Sequence, residues 1–98
     1  MTISVRVPAS LRSLVGGEAV LEIAVDADTG AVTVGDVLAA LASNHVALHR
    51  RLCDERGQVR THVNVFVGQD NVRDLDGLAT PVPAGADVTV LPAVSGGA

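Results

Sequence analysis

Short segments of alternating apolar and polar residues surround a single segment of helical spacing, and this order restricts the fold more than any other feature of the chain. Alternation is typical of strands with one buried face, whereas a repeat of three to four residues is typical of an amphipathic helix. The predicted order is strand, strand, helix, strand, short strand, strand, over 98 residues without internal repeats or linkers. A chain of this length suits one domain with a modest core.

The first predicted strand alternates Ile3, Val5 and Val7 with polar residues and stops at Pro8. A loop with Leu11, Leu14 and the turn pair Gly16-Gly17 leads to the second strand, so the two strands are predicted to form an antiparallel hairpin. Residues 26–30 break the pattern, and further turn residues stand at 68–71, 74–77 and 83–86. The remaining predicted strands are residues 19–25, 62–67, 72–73 and 87–91, with irregular structure at 78–82.

The main helix is predicted to begin at Thr33, whose hydroxyl can cap it, with Asp36 in the positive first turn. Apolar residues then recur at helical spacing as far as Ser43-Asn44. A second, short helical segment carries Leu48 and Leu52 and ends in a polar stretch at 54–58.

One helix can cover one face of a four- to five-stranded mixed sheet, with the first and last strands parallel at its centre through a right-handed crossover. This α+β arrangement is the β-grasp, or ubiquitin-like, fold. The opposite sheet face, with Phe66, is then exposed or covered by a partner. The predicted core consists of Val5, Val7, Leu21, Ile23, Val37, Leu38, Leu41, Val63, Val65, Val67, Val88 and Val90.

Composition excludes several classes of function. The net charge of −4 argues against non-specific nucleic-acid binding. The one cysteine cannot form an internal disulfide, and the sequence has neither a signal-peptide pattern nor an apolar segment long enough to span a membrane. We therefore expect a cytoplasmic protein without nucleic-acid or membrane partners. All seven basic residues other than histidine are arginines, so the chain is a poor acceptor for conjugation through lysine.

The last residues are Val94-Ser95-Gly96-Gly97-Ala98, directly after the final strand. Glycines have no side chains to obstruct a narrow channel, so such an end can be threaded into another protein's active site, although a simple flexible terminus has the same appearance. We predict a β-grasp domain over residues 1–91 and a flexible tail over 92–98. From Leu91 to Gly97 an extended tail spans at most about 20 Å, at roughly 3.3 Å per residue.

Several local patterns together resemble the ubiquitin-like sulfur carriers of the ThiS/MoaD family. Leu11-Arg12 followed by Gly16-Gly17 is similar to the loop after the first strand in MoaD- and CysO-type carriers. Residues 63–67, 71–73 and 77–80 are most similar to CysO, a carrier of cysteine biosynthesis, and residues 88–97 are similar to the tails of both types.

The resemblance implies a protein without catalytic activity of its own. An adenylating enzyme of the ubiquitin-activating type would use ATP and magnesium to activate the carboxylate of Gly97, while Val94, Ser95 and Gly96 thread the tail into its active site. A sulfur donor would then give a thiocarboxylate for a cysteine synthase-like acceptor; the carrier itself binds no cofactor. Active members end on the second glycine, so either Ala98 is removed, for instance by a metalloprotease, or the chain is inactive as written; we expect removal. Two alternatives concern the destination of the sulfur, which is then molybdopterin or a sulfur-containing secondary metabolite. Two concern the protein itself, which is then a ubiquitin-like protein modifier or a non-reactive interaction module.

Other candidate residues have simpler interpretations. Cys53, with His49 four residues before it, could be a nucleophile, but an unpaired cysteine is more often a small buried apolar residue. His45, His49 and His62 lack the spacing of a metal site. Arginines and histidines between 49 and 62 form one basic stretch, interpreted as a solvated helix face and loop, with partner contact as the alternative. Phe66, together with Val94 in the tail, is predicted to dock on partner proteins.

Overall fold

The computed structural model describes residues 2–25 and 31–92. Its strands and helices, in chain order, are β1 (Thr2–Arg6), β2 (Val20–Ala24), α1 (Val34–Asn44), α2 (Val46–Leu52), β3 (Val63–Val67), β4 (Asp70–Asn71) and β5 (Asp87–Pro92). Short 3-10 helices span Ala9–Val15, Val72–Asp74 and Gly77–Ala79. The predicted turn at 26–30 lies outside the described residues.

The five strands form one mixed sheet in the order β2-β1-β5-β3-β4. β1 and β2 form the predicted antiparallel hairpin, with Val5 opposite Leu21. β5 lies at the centre, parallel to β1 and antiparallel to β3. The predicted central parallel pair is therefore confirmed, and the architecture is the β-grasp fold.

The core lies between one face of the sheet and the helices. Val5, Val88 and Val90, from the two central strands, are fully buried, as is Leu41 of α1. Leu48 and Leu52 of α2 are also fully buried, so the short second helix contributes side chains to the core that are as completely buried as Leu41 of α1. Every predicted core residue is buried except Val67, which is only half-buried at the end of β3.

Local hydrogen bonds explain where the helices begin and end. Thr33 Oγ1 accepts the N–H of Asp36 at 3.2 Å, and Asp36 Oδ2 accepts the N–H of Thr33 at 3.0 Å. This reciprocal capping box satisfies two N–H groups that the first turn of a helix leaves without partners. At the other end, His45 has a non-helical backbone (φ −139°, ψ 66°) that separates α1 from α2.

The segment after β1 differs from the predicted loop, because Ala9–Val15 forms a 3-10 helix. It begins after Pro8 and ends at Gly16, whose φ of 68° is easily adopted only without a side chain. Leu11 and Val15 are buried against the core. Their spacing of four residues was too short a pattern to indicate a helix.

The short strand predicted at Val72-Arg73 was wrong. The strand is Asp70–Asn71, and Val72–Asp74 forms a 3-10 turn. Asn71 Oδ1 accepts the N–H of Arg73 at 3.0 Å, which caps that turn, and Val72 turns inward to the core. Among the described residues, no helix has the length and apolar character needed to cross a bilayer.

Candidate functional site

The predicted reactive end begins where the central strand stops. Val94, Ser95, Gly96, Gly97 and Ala98 lie outside the described residues, so their predicted roles stay predictions. The described part of the site is the tail root, Leu91 and Pro92, which are the last two residues of β5. β5 pairs with β1 as far as Thr89 and with β3 as far as Pro92, so the tail root is held by its pairing with β3.

The tail root is paired with the start of β3: Asn64 lies opposite Leu91, and Val63 lies opposite Pro92. The N–H of Gly68 donates to the carbonyl of Asp87 at 2.9 Å, which marks that position as a hydrogen-bonded pair. Antiparallel pairs alternate, so the Leu91 position is bonded to β3 and the Pro92 position is not. Proline, which has no N–H to donate, therefore ends the strand without loss of a bond to β3.

Arg73 forms hydrogen bonds with the start of β3, the strand that pairs with the tail root. Its Nη2 lies 2.9 Å from the carbonyl oxygens of both Arg60 and Thr61, and 2.8 Å from that of Val63. Its Nη1 lies 3.5 Å from Asn64 Oδ1. Since a guanidinium is planar and presents several N–H groups in a fixed fork, this one side chain joins the turn after β4 to the beginning of β3.

The sheet face opposite the helices, called the open face here, consists of the alternate residues of the same strands. Phe66 lies opposite both Thr89 and Asn71, and it is half-buried on this face. Leu91 is 40% exposed and is diagonal to Phe66 across the β3–β5 pair. The remaining residues of the face are mostly polar. Phe66 is thus placed on the uncovered face, as predicted, and its docking role stays a prediction.

Leu91 is a residue that the sequence reasoning missed. Val88 and Val90 are fully buried, and successive side chains of a strand point to opposite faces. The alternation in β5 therefore already places Leu91 on the open face. On the same face Arg6 and Asp87 form an ion pair at 3.0 Å. Both side chains are substantially exposed, so this pair contributes little to stability.

Cys53 fits the interpretation as a buried apolar residue. It is 2% exposed, at the end of α2. Burial raises the pKa of the Cys53 thiol, and Asp54 raises it further, against an opposing effect of Arg60. A nucleophilic cysteine needs the reverse, a lowered pKa and access to solvent.

The histidines show no metal site. Within the described residues, no group of three or more His, Cys, Asp or Glu side chains could hold a metal ion. His62 is exposed, and His45 and His49 are half-buried on the α2 side.

Comparison with known proteins decides the family. The model of the ThiS family matches residues 5–97. The chain belongs to the ThiS family. The ubiquitin-like sulfur-carrier resemblance expected from the sequence is therefore confirmed.

Individual relatives match the chain over nearly its whole length. The sulfur carrier protein CysO of Mycobacterium tuberculosis is 35% identical over 99% of this chain and 100% of its own. Small archaeal modifier protein 3 of Haloferax volcanii is 39% identical, again over 99% of this chain and 100% of its own. A chain in the crystal structure of the Amycolatopsis orientalis BexX/CysO complex superposes with a TM-score of 0.81 at 35% identity, covering 97% of this chain and 99% of that one.

Proposed function

We propose that this protein is a sulfur carrier whose working group is the carboxylate of Gly97, exposed by removal of Ala98. The observation that carries the proposal is the extent of the family match, which runs to residue 97 and so includes Gly96-Gly97 but not Ala98. A carrier without a nucleophile of its own is supported by Cys53, which is buried and has a thiol of raised pKa.

The proposed chemistry needs a partner enzyme because a carboxylate is a poor electrophile. An adenylating enzyme of the ubiquitin-activating type, using ATP and magnesium, joins a Gly97 carboxylate oxygen to the α-phosphate and releases pyrophosphate. A sulfur donor then attacks the acyl carbon and AMP leaves, which yields the thiocarboxylate. A tail that is thin and unbranched near its end, at Gly96-Gly97, suits this step because the carboxylate must reach the nucleotide through a channel.

The described residues support a carrier in which the sheet holds the tail root while the residues after it reach the partner enzyme. β3 holds the tail root by pairing with Leu91 and Pro92, and Pro92 restricts the backbone where the tail begins. A restricted root lowers the entropic cost of threading. Phe66, with Leu91 beside it, gives the open face an apolar contact for partner enzymes.

The proposed acceptor is a cysteine synthase-like enzyme, because a relative that matches end to end is the sulfur carrier CysO. Synthesis of molybdopterin or of a sulfur-containing secondary metabolite is the alternative destination. Purified candidate synthases, each offered the thiocarboxylate form with its activated co-substrate, distinguish these destinations by which one consumes the sulfur.

Removal of Ala98 has its own test. Full-length protein and a version ending at Gly97 are offered to the adenylating enzyme, and pyrophosphate release is measured. Only the shorter version should react, since in the full-length chain Gly97 carries an amide bond to Ala98. A metalloprotease that restores reaction of the full-length chain would identify the processing step; equal reaction of both versions contradicts it.

A second function is favoured by the similarity to small archaeal modifier proteins. Small archaeal modifier protein 3 is 39% identical, so conjugation of Gly97 to amines of target proteins is the competing proposal. The two are separated by incubating the Gly97-ending protein with ATP, the adenylating enzyme and a cell extract, with and without sulfide. A modifier becomes covalently linked to other proteins, whereas a carrier exchanges one oxygen for sulfur and stays unlinked.

A further inference from the structure

We propose that Arg12, Arg60 and Arg73 form a basic collar around the tail root, and that this collar docks on a carboxylate-rich protein surface at the mouth of the activating enzyme's channel. The inference rests on the proposed function and names the kind of surface that receives the carrier. Two observations support it: the three guanidinium groups lie at one end of the sheet, and their hydrogen-bond partners are carbonyl groups.

The sheet register brings all three arginines to one end of the molecule. β1 runs parallel to β5, with Arg6 opposite Thr89, so the chain leaves β1 at the same end of the sheet at which β5 ends. Arg12 lies in the 3-10 helix that follows, and its Nε donates to the carbonyl of Val7 at 3.0 Å.

Arg60 and Arg73 reach the same end from the other side of β5. Arg60 stands three residues before Val63, which pairs with Pro92, and its Nε donates to the carbonyl of Arg50 at 3.1 Å. Arg73 bonds three carbonyls of this segment, including that of Val63 itself. Pro92, the last residue of β5, therefore has Arg60 and Arg73 on its β3 side, with Arg12 at the same end of the sheet.

These arginines are fixed by neutral carbonyl groups rather than by carboxylates. Each guanidinium therefore keeps its full positive charge, since a carbonyl orients it without neutralising it. Among the described residues the ion pair is that of Arg6 with Asp87, outside the collar. Asp54 and Glu55 line a surface recess together with Arg60, and Asp54 Oδ1 accepts the backbone N–H groups of Arg56 and Gln58.

Three guanidinium groups that are hydrogen-bonded to carbonyls at one end of the molecule contrast with the chain's net charge of −4. Side chains already held in place lose little freedom on binding, so they favour association with a negatively charged partner. Protein carboxylates fit better than a nucleic acid, because an extended polyanion would also meet the remaining acidic surface of the molecule.

The test changes charge beside the collar without removing any structural arginine. Thr61 is exposed, and only its backbone carbonyl is bonded to Arg73. The side-chain changes Thr61→Glu, Thr61→Gln and Thr61→Arg therefore leave the hydrogen bonds of Arg73 to the carbonyls in place. Gln69, exposed in the turn at the opposite end of β3, provides the matched control through Gln69→Glu and Gln69→Arg. Binding to the adenylating enzyme is measured by calorimetry without ATP, at low and high salt.

We expect Thr61→Glu to raise Kd by about two- to fivefold, Thr61→Arg to lower it by a similar factor, and Thr61→Gln to leave it unchanged. The Gln69 variants should bind like the wild type, and the Thr61 differences should shrink as salt rises. Equal effects at the two positions, tighter binding by Thr61→Glu, or no binding by the wild type would overturn the proposal. So would a random-sequence DNA duplex that binds with the same dependence on residue 61.

Because Kd is measured without ATP, the result does not depend on adenylation. A second sample, the protein ending at Gly97, is then given ATP, sulfide and the adenylating enzyme and weighed by mass spectrometry, because Gly97 of the full-length chain carries an amide bond to Ala98. If binding depends on the charge at residue 61 but no sulfur is gained, the proposed function is refuted and the collar proposal is supported. A carrier that gains sulfur but shows no charge dependence refutes the collar alone.

Discussion

The two faces of the sheet are built from alternate residues of the same strands, and they differ in what they contribute. In β5, Val88 and Val90 are fully buried beneath the helices, while Leu91 is 40% exposed on the open face. In β3, Val65 is 1% exposed, while the adjacent Phe66 is only half-buried. The covered face therefore determines stability, and the open face is available for recognition.

Removal of apolar volume should affect the two faces very differently. Leu41→Ala, on the helix that covers the sheet, is expected to lower the free energy of unfolding by about 2–5 kcal/mol, because Leu41 is fully buried and leaves a cavity. Leu91→Ala removes the same side chain from the open face and should cost less than about 1 kcal/mol. Urea denaturation of both variants gives the comparison. Similar losses would show that the open face is part of the core after all.

The complementary change is Phe66→Ala, which should affect binding more than folding. We expect its affinity for the adenylating or acceptor enzyme to fall by about tenfold, as for a moderate apolar contact residue in an interface. The melting temperature, measured in parallel, should change little. Glu22→Gln, on β2 at the far edge of the same face, is the control and should bind normally. Unchanged affinity of Phe66→Ala would refute its docking role.

The smallest expected effect concerns Cys53, on the covered side. Its thiol pKa is raised in the folded protein, chiefly by burial, so the folded state retains the proton at a pH where the unfolded state has lost it. The resulting stability is fully present below the ordinary thiol pKa of about 8.5 and is lost as the pH rises through the raised value. The chain has neither lysine nor tyrosine, so few other groups titrate in this range.

Cys53→Ala isolates this effect. The difference in unfolding free energy between wild type and Cys53→Ala should be constant up to about pH 8 and should then move against the wild type. Chemical denaturation at a series of pH values measures it. A difference that does not change with pH would mean that the thiol is not buried as described.

Much of the fold could be predicted because its signals are local. Alternation fixed the strands and the phase of the core residues, and Thr33 with Asp36 marked the first turn of α1, where both capping bonds are present. The parallel pairing of the first and last strands followed from general rules on crossover connections. Val67 was the exception in the core, since it lies at the end of β3, where the helices cover the sheet less completely.

What could not be predicted depends on contacts between distant segments. The strand and 3-10 turn at 70–74 are set by the capping of Asn71 and the burial of Val72, which simple alternation does not encode. The same is true of the candidate site. Gly96-Gly97 is visible in the sequence, but the role of Arg73 depends on carbonyls 10 to 13 residues away, and composition gives no indication of it.

The most direct test of the sulfur-carrier proposal is the intact mass of the protein ending at Gly97 after incubation with ATP, sulfide and the adenylating enzyme. The proposal predicts a mass increase equal to replacement of one oxygen by sulfur, located by fragmentation at Gly97 and absent when ATP is omitted. An unchanged mass, or sulfur located at Cys53 instead, would contradict it.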